Sequence, residues 1–297
     1  MQLQDLSSSG DYYITAIKVY RQASGWGRLW KVIDWMNEHL PALVGSLGSS
    51  AVVDGGINML SVGAGCGTID SKILHHLLDS AHPKLRAVIL EPDSHMMQQY
   101  QDLVSKESTK LQGVDFDWRQ QTFQEFQATA KEDDKFHFIS CISSIYYCGD
   151  LEKSLKFLYE KLDSGGLLLI TTTSADSGFG KLWKYLSVNL AREGEHLMST
   201  DIQEACYKLN IPIAEVQTIK IYCDISSCFN APPHQLSQDG SILLDFLTHI
   251  VNFAQNAPAG FRDDVLRLLG SQECSVRGPE GQVNLDASNS IFLIRRE

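Results

Sequence analysis

Apolar runs alternate with amphipathic stretches through the middle of the chain. Five runs rich in aliphatic and aromatic residues predict strands at Ile57–Val62, Arg86–Glu91, Val114–Trp118, Phe136–Ile142 and Leu167–Thr172. The stretches between them have the three- and four-residue spacing of helices, at Asp70–Ser80, Ser94–Ser105, Phe123–Lys131 and Leu151–Leu162. Because the strand-like runs are continuous rather than alternating, we expect burial on both faces. The pattern predicts an α/β fold with a doubly wound, mostly parallel sheet.

The two ends of the chain follow a different pattern. Tyr12–Leu40 is mostly helical in its spacing, and Pro41 is expected just past the end of that helix. Near the C-terminus, helical stretches and strand-like runs are predicted at Lys181–Arg192, Val216–Cys223, Ile242–Phe253 and Ser290–Ile294. The predicted divisions are an N-terminal helical lid (1–50), a core (51–176), a small lobe with the sixth strand (177–288) and the last core strand (289–297). The lid could instead be a helix packed on the core, and the lobe could be only peripheral helices.

A glycine-rich loop follows the first predicted strand. Gly63, Gly65 and Gly67 separate that strand from a helix, which brings backbone N–H groups close to a ligand. The dinucleotide fingerprint would need a glycine where this chain has Thr68. The G-x-G-x-G spacing found here is usual in S-adenosylmethionine (SAM) methyltransferases. The second strand ends in Glu91, an acid placed to accept hydrogen bonds from both ribose hydroxyls. Together these features predict a SAM site.

Charge and cysteine content narrow the class of protein. The net charge of −11 argues against a dedicated nucleic-acid binder, which normally carries a basic patch. No apolar run approaches the roughly 20 residues that span a bilayer, and the first residues lack the features of a signal peptide. Seven scattered cysteines without a C-x-x-C pair suit reduced thiols better than disulfides or a zinc site. We expect a cytoplasmic protein without nucleic-acid or membrane partners.

The order of motifs resembles that of the histamine N-methyltransferase family. The motifs are LSVGAGCGTID, ILEPD, IYYCGDLEKSLKFLYEKL, SGFGKLWK, and CDISSCF followed by LLDFLT. The first two are shared by many SAM enzymes, whereas the later ones are more specific. The resemblance extends from about Tyr13 to Ile294. It implies a seven-stranded class I SAM-dependent methyltransferase fold with a small substrate lobe. It also implies methyl transfer to an imidazole nitrogen of a small molecule, by a monomer without a metal.

The resemblance also implies a set of cofactor contacts. The three glycines would lie under the methionine part of SAM, and Glu91 would hold the ribose. Met96 stands where the family often has a glutamine near the ribose, and Thr122 with Phe123 would clasp the adenine. Ile142 would pack near the cofactor, although an ordinary core position is an equal alternative.

On the substrate side, the resemblance places four aromatic residues around the acceptor. Tyr146, Tyr147, Trp183 and Phe246 match positions that wall the amine pocket of the family. Tyr146 and Tyr147 are the candidates for positioning the acceptor, without a role in proton transfer. A neutral imidazole nitrogen is already a nucleophile, so the reaction needs alignment and exclusion of water more than a base.

The polar contacts to the acceptor differ from the family pattern. Arg28 stands where the family places an acid for the ammonium of histamine, and Ser143 replaces a glutamine that reaches the imidazole. An asparagine near the C-terminus aligns with Ala287, beside Asp286. Arginine repels an ammonium and binds a carboxylate through two parallel hydrogen bonds, which favours histidine or carnosine as acceptor. The alternative is that Arg28 points to solvent.

Other functions are compatible with the same features. The fold could methylate a different nitrogen or oxygen acceptor, or could bind SAM without turnover, although the intact glycines and Glu91 argue against the latter. A nucleic-acid amino-methyltransferase is disfavoured, because Ser143-Ser144-Ile145-Tyr146 replaces the [DN]-P-P-[YFW] motif that holds a flipped base.

Overall fold

The computed structural model describes residues 3–25, 27–47, 56–79, 84–190 and 197–297, and only the backbone of Gly27 and Arg28. The α-helices of this part are α1 (Asp11–Ala23), α2 (Gly27–Gly45), α3 (Thr68–Asp79), α4 (Ser94–Lys106), α5 (Phe123–Thr129), α6 (Leu151–Lys161), α7 (Gly178–Leu190), α8 (Ser199–Leu209), α9 (Gln238–Thr248), α10 (Phe253–Asn256) and α11 (Ala259–Leu269). The strands are β1 (Ile57–Val62), β2 (Leu85–Leu90), β3 (Val114–Arg119), β4 (Phe136–Ile142), β5 (Leu162–Thr173), β6 (Ile213–Ile219), β7 (Tyr222–Asp224), β8 (Ser275–Arg277), β9 (Val283–Asp286) and β10 (Asn289–Arg295). Short 3₁₀ helices lie at Leu6–Ser8, Ile145–Tyr147, Ser226–Cys228 and Pro233–Gln235.

Seven strands form one sheet in the order β3-β2-β1-β4-β5-β10-β6. β1 pairs in parallel with both β2 and β4, and the pairs β2–β3 and β4–β5 are also parallel. The chain therefore winds outward in both directions from β1 and β4, which confirms the predicted doubly wound sheet. The switch between those directions lies at the carboxyl ends of β1 and β4, where ligands bind in such sheets.

Burial explains why these segments form strands and helices. Every residue of β4 from Phe138 to Cys141 is buried, as a strand covered on both faces requires. One apolar cluster joins the strands to α5, α6 and α8 through Phe126, Leu155 and Ile202. Side chains cap the first turns of several helices, among them Asp93 for α4, Thr122 for α5 and Asp150 for α6.

The chain divides into two compact units. The sheet unit contains residues 32–172, 199–218 and 290–297, and the second unit contains 1–31, 173–198 and 219–289. In the second unit, α1 packs on α9, and β7, β9 and β8 form a small antiparallel sheet in that order. Residues 32–47 thus group with the sheet, and the functional division into lid, core and lobe stays a prediction.

The N-terminal helix prediction was wrong in two respects. The segment forms two helices rather than one, because Gly25 adopts a left-handed backbone (φ 58°) that ends α1. Pro41 lies inside α2, which continues to Gly45. Met36, Leu40 and Val44 are completely buried on both sides of this proline, and burial of that helical face outweighs the hydrogen bond that proline cannot donate.

The prediction of a single strand at Val216–Cys223 was also wrong. β6 ends at Ile219 in the large sheet, and β7 begins at Tyr222 in the small one. The small sheet was missed because its strands are only three or four residues long, too short for a recognisable alternation. Over the described ranges, no helix combines the length and the apolar character needed to cross a membrane.

Candidate functional site

The carboxyl ends of β1 and β2 lie side by side. Val62 pairs with Leu90 in the parallel ladder, so the next residues, Gly63 and Glu91, leave the sheet at the same level. The backbone N–H groups of Gly63 and Ala64 both donate to the carbonyl oxygen of Leu90, at 2.9 and 3.1 Å. The predicted glycine loop and the predicted acid are therefore neighbours at the switch point of the sheet.

The three glycines of the loop have different surroundings. All three have positive φ angles, 67° at Gly63, 57° at Gly65 and 76° at Gly67. A Cβ atom at Gly63 would lie 2.6 Å from Cβ of Ser144, and one at Gly67 would lie 2.0 Å from the ring of Tyr100. A Cβ atom at Gly65 would meet nothing within 4 Å. Gly65 therefore borders open space, as a residue that faces a ligand should.

Glu91 is held against this loop. Its carboxylate accepts hydrogen bonds from the N–H of Gly65 at 2.7 Å and from the N–H of Asp93 at 3.0 Å, one on each oxygen. The side chain is only 8% exposed, so its position is fixed. Each carboxylate oxygen can accept a further hydrogen bond, so the arrangement fits two ribose hydroxyls. These residues suit the ribose and methionine parts of SAM.

Ser143, which was predicted to bind the methyl acceptor, directly follows β4 and has a strained backbone conformation. Its φ angle is 53°, uncommon for a residue with a side chain. Its N–H donates to the carbonyl and hydroxyl oxygens of Thr171, both at 3.0 Å, which hold it there. The following 3₁₀ helix carries Tyr146 and Tyr147, whose ring centroids are 4.5 Å apart, and Tyr147 is 56% exposed.

The remaining predicted cofactor residues lie in the sheet unit but also have local structural roles. Thr122 caps α5 in a reciprocal capping box with Glu125. Phe123 is buried and packs edge-on against Phe157, with centroids 5.6 Å apart. Met96 and Ile142 are half-buried. Their contacts with a cofactor stay predictions.

An aromatic cluster in the second unit contains both predicted aromatic residues of that unit. Phe246 stacks on Tyr20 with centroids 4.3 Å apart, and Trp183 packs against Phe179 at 4.5 Å. His249 links the two, with its ring 5.7 Å from Trp183 and 5.8 Å from Phe246. Sequence reasoning did not single out His249. Its only signal was its place directly after the LLDFLT motif.

The structure does not place the side chains of two residues predicted to bind the methyl acceptor, Asp286 and Arg28, in a free binding position: one already has partners, and the other is not described. The carboxylate of Asp286 accepts hydrogen bonds from the N–H and hydroxyl of Ser288 and lies 3.3 Å from the ammonium of Lys220. It therefore already has structural partners at the end of β9. Arg28 lies in the first turn of α2, and its side chain falls outside the described residues.

Asp70 is a further group that sequence reasoning missed. It lies in the first turn of α3, directly after the glycine loop, and is 3% exposed. Burial raises the pKa of its carboxyl group to about 7, the nearby Ser61 and Tyr100 side chains lower the pKa, and the charge of Glu91 raises it. The signal in the sequence was slight: an acid at a helical position whose neighbours are apolar.

Comparisons with known proteins identify related methyltransferases. A family model described as a methyltransferase domain matches residues 32–209. The chain is 30% identical to histamine N-methyltransferase A of Xenopus laevis, over 100% of this chain and 99% of that protein. It is 31% identical to the histamine N-methyltransferase of Danio rerio, over 88% of each chain. Among solved structures, the YcgJ protein from Bacillus subtilis has a TM-score of 0.50 at 16% identity, covering 86% of this chain and 99% of that chain. That likeness concerns the fold alone.

Proposed function

The chain belongs to the histamine N-methyltransferase family of SAM-dependent methyltransferases, and we propose that it methylates an imidazole nitrogen of a small acceptor that carries a carboxylate. The observation that carries the proposal is the open face of Gly65 beside the buried Glu91, at the switch point of the sheet. Bound SAM supplies an electrophilic methyl group on a positively charged sulphur. The glycine loop and Glu91 would hold its methionine and ribose parts.

The proposed chemistry requires little from the protein beyond alignment. A neutral imidazole nitrogen is already a nucleophile, so no general base would be needed to activate it, and the N–H proton of the methylated ring would leave to solvent after transfer. Tyr146 and Tyr147, just past the end of β4, are suited to orient a flat ring and exclude water. The resemblance makes Trp183 and Phe246 candidate walls of the acceptor pocket, because aromatic rings attract an imidazole or a cation.

The preference for a carboxylate rests on position 28. An arginine replaces the acid that the family uses for an ammonium, so it would repel histamine and attract histidine or carnosine. Arg28→Glu should reverse that preference, because it removes an attractive partner and adds a repulsive one. A charge-assisted hydrogen bond contributes about 1.5–3 kcal/mol, which corresponds to a selectivity shift of at least tenfold.

The test measures kcat/KM for histamine, histidine, carnosine and imidazole with the wild type and with Arg28→Glu. We expect the wild type to prefer the carboxylate-bearing acceptors and the variant to prefer histamine, with SAM affinity unchanged. Arg21→Glu, an exposed arginine on α1, is the matched charge control. Equal rates on histamine and carnosine in both Arg28 forms would overturn the role of Arg28.

A different acceptor is the second candidate. Ser143 is shorter than the glutamine of the family, and Asp286 is already engaged by Ser288 and Lys220, so neither reproduces the family's contacts with the imidazole. Methyl transfer to an amine or hydroxyl compound, with no transfer to any imidazole of the panel, would favour this candidate.

The scattered cysteines further support the proposal of a cytoplasmic enzyme, and the family resemblance supports a monomer.

A further inference from the structure

Asp70 and Tyr100 form a buried polar pair beneath the glycine loop. Both side chains are buried, and neither Oδ2 of Asp70 nor the hydroxyl of Tyr100 has a hydrogen bond of standard geometry within the described part of the chain, although the two groups lie close enough to shift each other's pKa. The ring of Tyr100 lies directly under Gly67, where a Cβ atom would be 2.0 Å from it. A carboxyl group and a phenol that face each other without a completed hydrogen bond are costly in the core and need an explanation.

Groups from three elements raise or lower the pKa of Asp70. Ser61 comes from β1, Tyr100 from α4, and Glu91 from the end of β2, and these are the polar and charged groups that act on the carboxyl group. Burial is the main cause that brings its pKa to about 7, with the negative charge of Glu91 acting in the same direction. A positive charge placed nearby would oppose both effects and favour the ionised form.

We propose that Asp70 is protonated while the cofactor site is empty and releases its proton when the positively charged methyl donor binds. This inference rests on the placement of SAM at the glycine loop. SAM carries a sulfonium, an ammonium and a carboxylate, and so has one net positive charge. S-adenosylhomocysteine, the demethylated product, lacks the sulfonium charge and is neutral overall. The same site should therefore release a proton with the donor and much less with the product.

The step balances without any further reactant. The O–H bond of the Asp70 carboxyl group breaks, its electron pair stays on the carboxylate, and the proton passes to the buffer. The hydroxyl of Tyr100 can then donate to the new carboxylate, which gives both buried groups a partner. Asp70 acts here through the charge of the site and is a positioning residue, not a catalytic one.

The proposed proton release makes SAM affinity depend on pH. Below about pH 7 the free enzyme holds the proton, so SAM affinity should rise with pH by up to about tenfold per pH unit. Above that pH the free enzyme is already ionised, and the affinity should become flat. The affinity for S-adenosylhomocysteine should change little over the same range. The ratio of donor to product affinity would thus increase towards neutral pH.

Calorimetry measures the released proton directly. SAM and S-adenosylhomocysteine are titrated into the protein at about pH 6.5 in phosphate and in Bis-Tris, whose ionisation enthalpies differ, and the difference in heat gives the number of protons. We expect wild type to release most of one proton with SAM and much less with S-adenosylhomocysteine. Equal release with the two ligands would overturn the proposal, and this comparison requires no variant.

Variants then assign the proton. Asp70→Asn should bind SAM with almost no proton release and a flat pH profile, whereas Asp79→Asn, an exposed aspartate at the end of the same helix, should behave as wild type. Tyr100→Phe keeps the ring under Gly67 but removes a donor that lowers the pKa of Asp70, so the pH above which SAM affinity becomes flat should rise. Unchanged release in Asp70→Asn would overturn the assignment. If Asp70→Asn does not fold, an unchanged pH profile of SAM affinity in Tyr100→Phe would overturn the assignment.

A failure of the cofactor placement would look different. Glu91→Ala should weaken the binding of both SAM and S-adenosylhomocysteine, since both contain the ribose. Unchanged affinity in that variant would refute the placement itself. Weakened affinity together with equal proton release for the two ligands in wild type would refute only the role of Asp70.

Discussion

Individual residues of the glycine loop have separable roles in folding and binding. Gly67 is required by the ring of Tyr100, and Gly63 by the side chain of Ser144, whose hydroxyl donates to the carbonyl oxygen of Val62 at 2.6 Å. Gly65 has no such neighbour. The sequence motif showed three glycines at regular spacing, but only the packing shows which of them borders the space for a ligand.

A pair of substitutions separates these roles. Gly65→Ala should lower stability by about 1–2 kcal/mol, the cost of a left-handed backbone at a residue with a Cβ, and should weaken SAM binding at least tenfold. Gly67→Ala should add the overpacking cost of about 1–3 kcal/mol against Tyr100. Thermal unfolding without cofactor and calorimetry with SAM check both effects. If Gly65→Ala bound SAM as wild type does, Gly65 would be only a turn residue.

Glu91 provides a second test at the scale of a residue. Glu91→Ala should weaken SAM binding by about 1–3 kcal/mol, because ribose hydroxyls would lose their charged acceptor and the N–H of Gly65 would lose its partner. Glu132→Ala removes an exposed carboxylate elsewhere in the same unit and should leave the affinity unchanged. Calorimetric titration with SAM measures both variants, and identical affinities would refute the role of Glu91.

Among the elements, α1 is tied to α9 by a partly buried hydrogen bond in addition to the stacking of Tyr20 on Phe246. The hydroxyl of Tyr12 donates to Asp245 on α9 at 2.7 Å. Asp245 is 1% exposed and also accepts from the N–H groups of Asn252 and Phe253 at 2.6 and 2.8 Å. This carboxylate therefore joins α1 to the turn after α9, which contains the left-handed residues His249 and Asn252.

Tyr12→Phe tests this connection. The substitution keeps the ring but leaves the carboxylate of Asp245 with one donor fewer, and it should lower the free energy of unfolding by about 1–2 kcal/mol. Tyr207→Phe is the matched control, because Tyr207 is 85% exposed and should contribute little. Urea unfolding of the two variants gives the difference. Equal stabilities would mean that the hydrogen bond to Tyr12 contributes nothing.

Sequence patterns predicted the core elements well and the peripheral ones less well. β1 and β4 have their predicted bounds because continuous apolar runs end at clear polar or glycine signals. The break at Gly25 comes from a left-handed glycine inside a pattern that otherwise continues, whereas the passage of α2 through Pro41 depended on tertiary burial, which periodicity does not reveal. The small sheet was hidden for the same reason, because pairing with distant β9 makes a strand of three residues such as β7.

Across the whole molecule, the site residues that could be predicted from the sequence are those that directly follow a strand of the sheet. The glycine loop and Glu91 were predictable because each directly follows its own strand. Asp70 and His249 were not, because their environments come from distant parts of the chain: Tyr100 for Asp70, and Trp183 for His249. Residues that depend on such long-range contacts are the ones that sequence reasoning misses.

The position of the transferred methyl group shows whether this protein methylates an imidazole nitrogen. The enzyme is incubated with SAM labelled with carbon-13 in the methyl group and with carnosine or histamine, and the product is examined by long-range carbon–proton NMR. We expect a labelled methyl group coupled to the imidazole ring protons, and we expect the product to form faster with carnosine than with histamine. Label that stays on SAM with every imidazole, or that appears on an amine or an oxygen, would contradict it.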